Sequence, residues 1–473
     1  MNFAHAEVAT LDPTTMRTLC EEYIANNYID PETSERLGVK RGLRNPDGTG
    51  VLAGLTNVCD VVGYKKDQEG HVIPTPGKLI YRGVNINEIV DEAYRNDRFV
   101  FEEVIWLLLF GSLPTREQLD DFCEILAESR ALPDGFMDTM NAPSPNIMNK
   151  LQRCVLGLYS YDDRAEDLSL ENILNQSINL IASMPTMMVN AYQMKRRYYD
   201  KQSMFFHLPK PGQSTAEHIL STYRPDQKFT HEEAKLLDMC LLVHADHGGG
   251  NCSTFTARVL SSSGTDTYSA IAAAIGALKG PKHGGANIKV AEMVEYIKQG
   301  VEDITDADQV ADFLKKILKK EAGDGSGLIY GMGHAVYTLS DPRAVILKSH
   351  ARKFSENTEF EDEFKLLELI ETLTPQILAE LRGDKKIMCA NVDLYSGLVY
   401  KLLGIPEDLF TPLFTVARVA GWSAHRMEEL MTGGRIIRPA YKSVCAQRNY
   451  VKLDERLDNY PGELRYIPSD EHA

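Results

Sequence analysis

The chain has 473 residues, of which 43% are hydrophobic and 25% are charged, so it is expected to bury a sizeable core and to form about two domains. Its formal net charge of -16 argues against nucleic-acid binding, which requires a cationic surface. Anionic small molecules remain compatible with this charge, because a few arginines in one cleft reverse its sign locally.

Membrane and export signals are missing from the sequence as it stands. No stretch reaches the roughly 18 consecutive apolar residues of a spanning helix, so we expect no membrane role. Residues 1–20 lack an apolar signal core and an Arg-rich bias, which predicts a cytoplasmic protein. Eight cysteines are scattered without a CxxC pair, and we expect reduced, mostly buried thiols.

The predicted elements begin with a helix at 16–26. Between residues 42 and 85, short apolar runs alternate with turn signals such as Asp47-Gly48 and Glu69-Gly70, which is typical of short β-hairpins. From residue 86 almost to the end, apolar residues recur at helical spacing, and the fold is predicted to be mainly α. The helical windows are 103–109, 116–129, 170–194, 231–244, 267–278, 306–320, 342–354 and 360–382.

Glycines interrupt this helical pattern at two places, beside His283 and before His334. Glycine lets the backbone approach a ligand closely and supplies hinge freedom. We therefore predict a small domain at 284–404 and a large, discontinuous domain at 1–283 and 405–473.

Both of these histidines are candidate site residues. His283, in Gly-Pro-Lys-His-Gly-Gly, precedes a predicted helix whose positive end would lower the imidazole pKa and leave a neutral donor. A turn or cap histidine is the alternative. His334 precedes Arg343 by nine positions, a pattern that suits a carbonyl compound bearing a carboxylate. Its alternative is a loop histidine followed by a capped helix with a solvated arginine.

A carboxylate and two further arginines complete the candidate set. Asp393 lies among apolar and small residues, where desolvation would raise its pKa and make it a stronger base. A helix-capping aspartate is the alternative. Arg418 and Arg438 also lie among apolar residues and need an anionic partner, which an internal Asp or Glu could supply. Together these groups suit deprotonation of a carbon and stabilisation of the resulting oxyanion.

With these motifs assembled, the chain resembles the citrate synthase family, which includes 2-methylcitrate synthases. The order and spacing of several motifs over most of the chain carry this resemblance. The matching segments are Gly42-Leu-Arg, Gly48-Thr-Gly-Val-Leu-Ala-Gly-Leu-Thr, Tyr81-Arg-Gly, His244-Ala-Asp-His247 with Asn251 and Ser253-Thr-Phe-Thr, 268–278, Gly280-Pro-Lys-His-Gly-Gly-Ala-Asn, Gly331-Met-Gly-His-Ala-Val-Tyr, Asp341-Pro-Arg, Asn391-Val-Asp-Leu-Tyr-Ser-Gly, Arg418, Gly421-Trp-Ser-Ala-His and Arg438-Pro.

The resemblance implies a mainly helical, two-domain homodimer whose active site lies in the cleft between the domains. The implied reaction condenses acetyl-CoA with oxaloacetate and water to give citrate and CoA, as in the tricarboxylic acid cycle. Propionyl-CoA, which would give 2-methylcitrate, is the alternative co-substrate. No permanently bound cofactor and no metal is expected.

Residue roles also follow from the resemblance alone. Asp393 would remove a proton from the acyl-CoA methyl group, His283 would hydrogen-bond the thioester oxygen, and His334 would donate to the ketone of oxaloacetate. The keto acid would be held by His244, Arg343 and Arg418. Arg438 would reach into the site of the neighbouring subunit, so that each site needs two chains.

Three positions depart from the family pattern. Gly248 stands where many members carry Glu, and Ala335 and Thr338 replace basic residues that often follow the second catalytic histidine. The residues that contact the CoA phosphates are therefore left open. Lys315, Lys316, Lys319, Lys320, Lys348 and Arg352 could supply charge, with a solvated helix face as the alternative.

Two other classes of function were weighed. A metal cluster for hydrolysis would use His244, Asp246, His247, His283 and His334. The first three are too close in sequence to converge from one helical turn, which disfavours it. A catalytically silent scaffold is disfavoured because the three catalytic candidates are intact.

Overall fold

The computed structural model describes residues 12–383, 387–447 and 450–455. It divides the chain into two compact units, one of Met1–Leu52 with Ile437–Ala473 and one of Ala53–Ile436. Helices dominate the described chain, so the predicted mainly α class is confirmed. None of the described helices is long and apolar enough to cross a bilayer.

The helices and strands have the following bounds. The α-helices are α1 (Pro13–Asn26), α2 (Pro31–Arg36), α3 (Ile86–Arg95), α4 (Phe101–Phe110), α5 (Arg116–Glu128), α6 (Phe136–Met140), α7 (Ile147–Leu158), α8 (Leu170–Tyr198), α9 (Thr215–Tyr223), α10 (His231–His244), α11 (Cys252–Ser262), α12 (Thr267–Leu278), α13 (Ala286–Gly300), α14 (Ala307–Leu318), α15 (Pro342–Ser355), α16 (Glu361–Arg382), α17 (Val392–Leu402) and α18 (Phe410–Met431). The strands are β1 (Cys59–Lys66), β2 (Val72–Tyr81) and β3 (Val84–Asn85), and 3-10 turns lie at Arg41–Leu43, Tyr159–Tyr161, Glu407–Leu409 and Leu453–Glu455.

The β structure of the larger unit is one hairpin with a short third strand. β1 and β2 pair antiparallel, with Cys59 opposite Tyr81, and β3 pairs with the end of β2. Asp67 Oδ1 accepts the N–H groups of Glu69 and His71 in the connecting turn. This Asx-type turn sits at the predicted Glu69-Gly70 turn, and the predicted hairpin is confirmed.

The core of the larger unit surrounds α18. Every residue from Phe410 to Met427 is buried, so this helix is enclosed on all sides. It packs against α8, α11, α10 and α4. A helix without a polar face has no amphipathic stripe, and for this reason the helical-window analysis did not mark it.

A second group of helices is formed by α13 to α17. Here α15 packs against α17, α14 against α16, and α13 against α17. These helices fall within the residues predicted as the small domain, 284–404, whose boundaries stay a prediction. All eight cysteines are free, as expected. Half of them are buried, namely Cys59, Cys154, Cys240 and Cys389, whereas most were expected to be.

The smaller unit consists of chain segments near the two ends. α1 begins at Pro13, three residues before the predicted start, because Asp12 caps it by accepting the N–H groups of Thr14 and Thr15. None of the residues of α1 is buried. The turn predicted at Asp47-Gly48 lies between the bridged residues Arg44 and Gly50.

Candidate active site

The first part of the site is the end of α10. His244 closes this helix and is buried against the ring of Phe414, with ring centroids 4.4 Å apart. Both of its ring nitrogens are buried and have no hydrogen-bond partner in the described chain. Burial, with the charges of Arg343 and Arg418, holds the pKa of His244 well below its usual range. His244 is therefore a neutral imidazole whose nitrogens are available to a ligand.

Arg418 lies in the middle of α18, beside His244. Its Nε donates to the His244 carbonyl over 2.7 Å, and its guanidinium lies 4.7 Å from the ring centroid of Phe414. The second terminal nitrogen, Nη2, is buried without a partner among the described residues. The expected internal carboxylate partner is absent, since no ion pair to Arg418 forms in that part of the chain. A buried guanidinium in this state favours binding of an anion.

Arg343 is the second buried cation, near the start of α15. Asp341 caps this helix and accepts the main-chain N–H of Arg343 over 3.0 Å. The same carboxylate receives a two-point contact from the guanidinium, at 3.0 Å from Nε and 2.6 Å from Nη2. Burial alone would lower the pKa of Arg343, but the Asp341 carboxylate outweighs it and raises the pKa. Arg343 is therefore a fixed, permanently charged group.

His283 lies in the turn between α12 and α13. Its Nε2 is 3.3 Å from the main-chain nitrogen of Ser253 and 2.9 Å from Ser253 Oγ. A main-chain N–H can only donate, so Nε2 accepts and the ring proton sits on Nδ1. Burial, followed by the charge of Arg418, lowers the pKa of His283 to about 4. α13 begins at Ala286 as predicted, but burial, rather than the end of this helix, is the main cause of the lowered pKa.

Ser253 is itself held in place by two neighbours. With Nε2 of His283 unprotonated, the Oγ–H of Ser253 donates to His283, while Oγ accepts Trp422 Nε1 over 3.2 Å and lies 3.0 Å from Asn251 Oδ1. Asn251 is the cap of α11 and also accepts the N–H of Thr254. Sequence reasoning quoted this segment as a motif without assigning Ser253 a role. The Asn-x-Ser spacing at a helix start was the available signal.

His334 lies in the loop between α14 and α15, after Gly331 and Gly333, which both have positive φ. The main-chain N–H groups of Val336 and Tyr337 both donate to its Nδ1 over 3.0 Å. An Nδ1 that accepts two N–H groups carries no proton, so the proton of the ring sits on Nε2. The His247 ring lies edge-on to His334, with centroids 5.1 Å apart at 88°. The ring donor of His334 is therefore Nε2–H.

The loop of His334 is joined to the start of α17. Met332 bridges Ala390, and Asn391 Nδ2 donates to the carbonyl of Gly333 over 2.9 Å. Asn391 is also the cap of α17, since its Oδ1 accepts the N–H of Asp393 over 3.0 Å. Asn391 therefore ties the loop of His334 to the first turn of the helix that carries Asp393.

Asp393 is the second residue of α17 and is partly exposed. Asn391 caps the helix, so the alternative of a capping aspartate is wrong. The carboxylate accepts no hydrogen bond from the described residues. Burial raises the pKa of Asp393 to about 7, Asp341 adds to this, and Arg343 and Arg418 oppose it. A carboxylate with this pKa is a stronger base than an exposed one, and half of it is ionised near neutrality.

The structure brings six of the seven predicted residues together. The charge of Arg418 acts on His244, His283 and Asp393, and that of Arg343 acts on His244 and Asp393. His247 was not among the predicted site residues. Its pKa is lowered by burial and by nearby groups that include His334 and His283. Arg438 is exposed and belongs to the smaller unit, so its role stays a prediction.

The histidines of the disfavoured metal cluster are not among the groups of described residues that could hold an ion. Among the described residues, the one group with at least three suitable ligand atoms within 4.8 Å of one another is Asp67, Glu69 and His71. All three are exposed at the tip of the β-hairpin. The arrangement of the site instead combines a base, three histidine donors and two cations.

Comparison with known proteins follows from this geometry. The family model described as "Citrate synthase, C-terminal domain" matches residues 45–440. The chain is 36% identical over 397 residues to the citrate synthase of Synechocystis sp., covering 83% of this chain and 91% of the relative. The chain belongs to the citrate synthase family. It is an enzyme of that family, and the predicted membership is confirmed.

One further relative and two solved structures of citrate synthases are also similar to this chain. A protein named 2-methylcitrate synthase 1 from Corynebacterium glutamicum is 34% identical, covering 81% of this chain and 94% of the relative. Among solved structures, one is the citrate synthase of Thermoplasma acidophilum in a ternary complex with carboxymethyl coenzyme A and oxaloacetate. It aligns with a TM-score of 0.72 at 27% identity, covering 88% of this chain and 99% of that one. The citrate synthase of Thermotoga maritima aligns with a TM-score of 0.69 at 27% identity, covering 89% and 99%.

The departures from the citrate synthase pattern have structural correlates. Gly248 has a φ of +78° and a Cβ there would lie 3.2 Å from Val61, so a side chain such as Glu is disfavoured. Three of the candidate cations have a carboxylate partner, and two of these pairs are close, Lys348 with Glu371 at 2.7 Å and Arg352 with Glu368 at 2.5 Å. These pairs favour a structural role for both cations.

Proposed function

We propose that the chain condenses acetyl-CoA with oxaloacetate and water to give citrate and CoA. The observation that carries the proposal is a buried arginine nitrogen, Nη2 of Arg418, beside the unpartnered ring nitrogens of His244. A dicarboxylic keto acid supplies the anionic oxygens that such groups require. The named complex of the Thermoplasma acidophilum citrate synthase with oxaloacetate supports this choice.

Keto-acid binding is the first step. Arg418 would bind one carboxylate through its unpartnered nitrogen, and Arg343 would add a positive charge held in place by Asp341. His244 would donate to a substrate oxygen as a neutral imidazole, since its pKa is far below neutrality. The two guanidinium groups outweigh the acidic net charge of the chain locally.

Proton abstraction is the second step. Asp393, with a pKa of about 7, would take a proton from the carbon next to the thioester carbonyl. The electron pair of that C–H bond would move onto the thioester oxygen, where His283 Nδ1–H would donate a hydrogen bond. A neutral donor aimed at a developing oxyanion lowers the barrier without needing reorganisation.

Bond formation and hydrolysis complete the reaction. The enolate carbon would attack the ketone carbon of oxaloacetate, and His334 Nε2–H would donate a hydrogen bond to the alkoxide that forms. The proton that Asp393 took up would return to the product, so that no proton is lost from His334. The product of this step is citryl-CoA. Water would then cleave its thioester bond, giving citrate and free CoA thiol. Closure of the predicted cleft would protect the first thioester from water before condensation.

The choice of acyl group is testable by thiol release. We expect oxaloacetate with acetyl-CoA to give a higher kcat/KM than oxaloacetate with propionyl-CoA. One methylene changes selectivity by about 1 to 3 kcal/mol, so both rates should be measurable. A reversed preference would favour the 2-methylcitrate reaction, which the name of the Corynebacterium glutamicum relative suggests. No thiol release with either thioester would contradict the proposal.

We expect Arg418→Met to raise the KM for oxaloacetate about tenfold to hundredfold, because a hydrogen bond to a charged group is worth about 1.5 to 3 kcal/mol. The KM for acetyl-CoA should change far less. Steady-state kinetics with each substrate varied in turn would measure both. Arg164→Met is the matched control, since Arg164 is exposed and pairs with Asp167 on the surface. An unchanged KM for oxaloacetate in Arg418→Met would remove Arg418 from the site.

We also propose a homodimer whose sites are shared through Arg438. Arg438→Ala and Arg418→Ala homodimers should each keep the dimer and show little activity at an oxaloacetate concentration near the wild-type KM. After denaturation and joint refolding, random pairing would restore about a quarter of wild-type activity, because half of the dimers are mixed and one of their two sites is intact. Mixed dimers that remain as inactive as their parents would count against sharing.

A further inference from the structure

Tyr337 is a buried residue that the proposed reaction does not use. Its side chain is 0% exposed, and its ring stacks on the His334 imidazole with centroids 4.7 Å apart at 26°. Its main-chain N–H is one of the two donors to His334 Nδ1. One residue therefore supports the plane of the imidazole and also helps to place the proton on Nε2.

The ring of Tyr337 also borders two other groups of the site. The His247 ring lies 5.6 Å away at 70°, and the guanidinium carbon of Arg343 lies 6.0 Å from the ring centroid. An aromatic face toward a guanidinium is an attractive arrangement. Replacing this ring by a flexible side chain would remove the ring that stacks on the His334 plane and leave only the edge-on contact with His247.

The β-hairpin holds Tyr337 from the other side. The phenol donates to the carbonyl of Lys78 in β2 over 3.2 Å, and the N–H of Gly77 donates to Ser340 Oγ over 3.1 Å. A Cβ at Gly77 would lie 2.1 Å from the Ser340 carbonyl oxygen and 2.7 Å from the Tyr337 ring. Glycine within a strand marks a close approach of this kind, and here it is required.

The other strand of the hairpin makes a similar approach. The register of β1 shifts between Val62 and Tyr64, and a Cβ at the intervening Gly63 would lie 2.5 Å from the Val336 carbonyl oxygen. The main-chain N–H of Val336 is the second donor to His334 Nδ1. β1 and β2 therefore pack closely against Val336 and Tyr337, the two residues whose N–H groups orient His334.

We propose that Tyr337 is a positioning residue for His334 and that strands β1 and β2 hold it in place. The inference rests on the proposed function, in which His334 donates to the ketone of oxaloacetate. A donor acts on a developing alkoxide only at the correct distance and angle, and a displacement of about 1 Å can cost about a hundredfold in rate. The β-hairpin, although distant in sequence, therefore helps to fix the position of His334.

The test replaces the aromatic plane while keeping most of the volume. Tyr337→Met should lower kcat about tenfold to hundredfold, with the KM for acetyl-CoA changed less than about threefold. Tyr337→Phe keeps the stacked ring and should retain kcat within about threefold, because it loses one hydrogen bond. Tyr330→Phe is the matched control, since its phenol bonds Asp324 and Ser326 in a surface loop.

A double-mutant cycle separates positioning from a general structural effect. In a His334→Ala background, Tyr337→Met should cost less than about twofold further, because the group it positions is gone. A loss of kcat as large in that background as in the wild type would overturn the inference. If His334→Ala itself keeps normal kcat, the proposed function fails instead, so the two failures are distinguishable.

A variant of the hairpin provides an independent measurement if Tyr337→Met does not fold. Gly77→Ala should lower kcat at least about fivefold through the same loop, again with no further loss in the His334→Ala background. Gly54→Ala is its control, because a Cβ there meets nothing within 4 Å. A folded Gly77→Ala enzyme with normal kcat would overturn the part assigned to the hairpin.

Discussion

Asp393→Asn is expected to lower kcat about a hundredfold or more with oxaloacetate and acetyl-CoA. General-base catalysis contributes roughly 10² to 10⁴ in rate, and an amide cannot accept the proton. The KM for oxaloacetate should change little, since Arg418 and His244 remain. CoA release measured with a thiol reagent would show the loss, and near-normal release would refute the assignment. Asp308→Asn, on the exposed start of α14, is the matched control.

The pH dependence of the wild-type enzyme checks the same residue. Asp393 must be ionised to act, so kcat/KM should rise with pH and level off above about 7. Its raised pKa means that the folded chain holds this proton while the unfolded chain, with an ordinary pKa, has released it. The free energy of unfolding from this group therefore falls as pH rises from about 4 to about 7. We expect Asp393→Asn to melt no lower than wild type at pH 8, which separates lost catalysis from lost folding.

His283→Ala is expected to lower kcat about a hundredfold to a thousandfold, the usual cost of removing one donor to an oxyanion. The pKa of about 4 makes His283 a neutral donor throughout the working pH range, so the loss should not vary with pH above about 5. Initial rates of CoA release at several pH values would measure this. A loss confined to low pH would indicate that a charged imidazole is the active form.

His231→Ala serves as the matched control for His283→Ala. His231 is exposed and lies 3.1 Å from Asp97 on the surface, so its removal should leave kcat within about twofold. Ser253→Ala keeps the main-chain N–H that fixes the His283 tautomer and removes the Oγ contacts with His283, Asn251 and Trp422. Its loss should therefore be smaller than that of His283→Ala, and an equal loss would contradict the assignment of the main-chain N–H as the fixing group.

Local sequence signals located many of the helices. α10 and α12 have the predicted bounds because each begins after a capping side chain, Thr230 with Glu233 in one case and Asp266 in the other. The β-hairpin was also predictable from neighbouring residues, because its turn is formed by the Asp67 side chain and by Gly70, which has a positive φ. α18 lies inside the region predicted to be helical, but its burial on all sides depends on helices from distant parts of the chain and was not predicted.

The sequence by itself determined the chemical groups of the site and the elements that carry them, because side-chain chemistry, helix caps and turns depend on neighbouring residues. Six of the predicted site residues lie together as their motifs indicated. Tertiary structure alone decided the protonation of those groups. The pKa of Asp393 and the ring proton of His283 depend on burial, on Arg343 and on the main-chain N–H of Ser253, which only folding brings into contact.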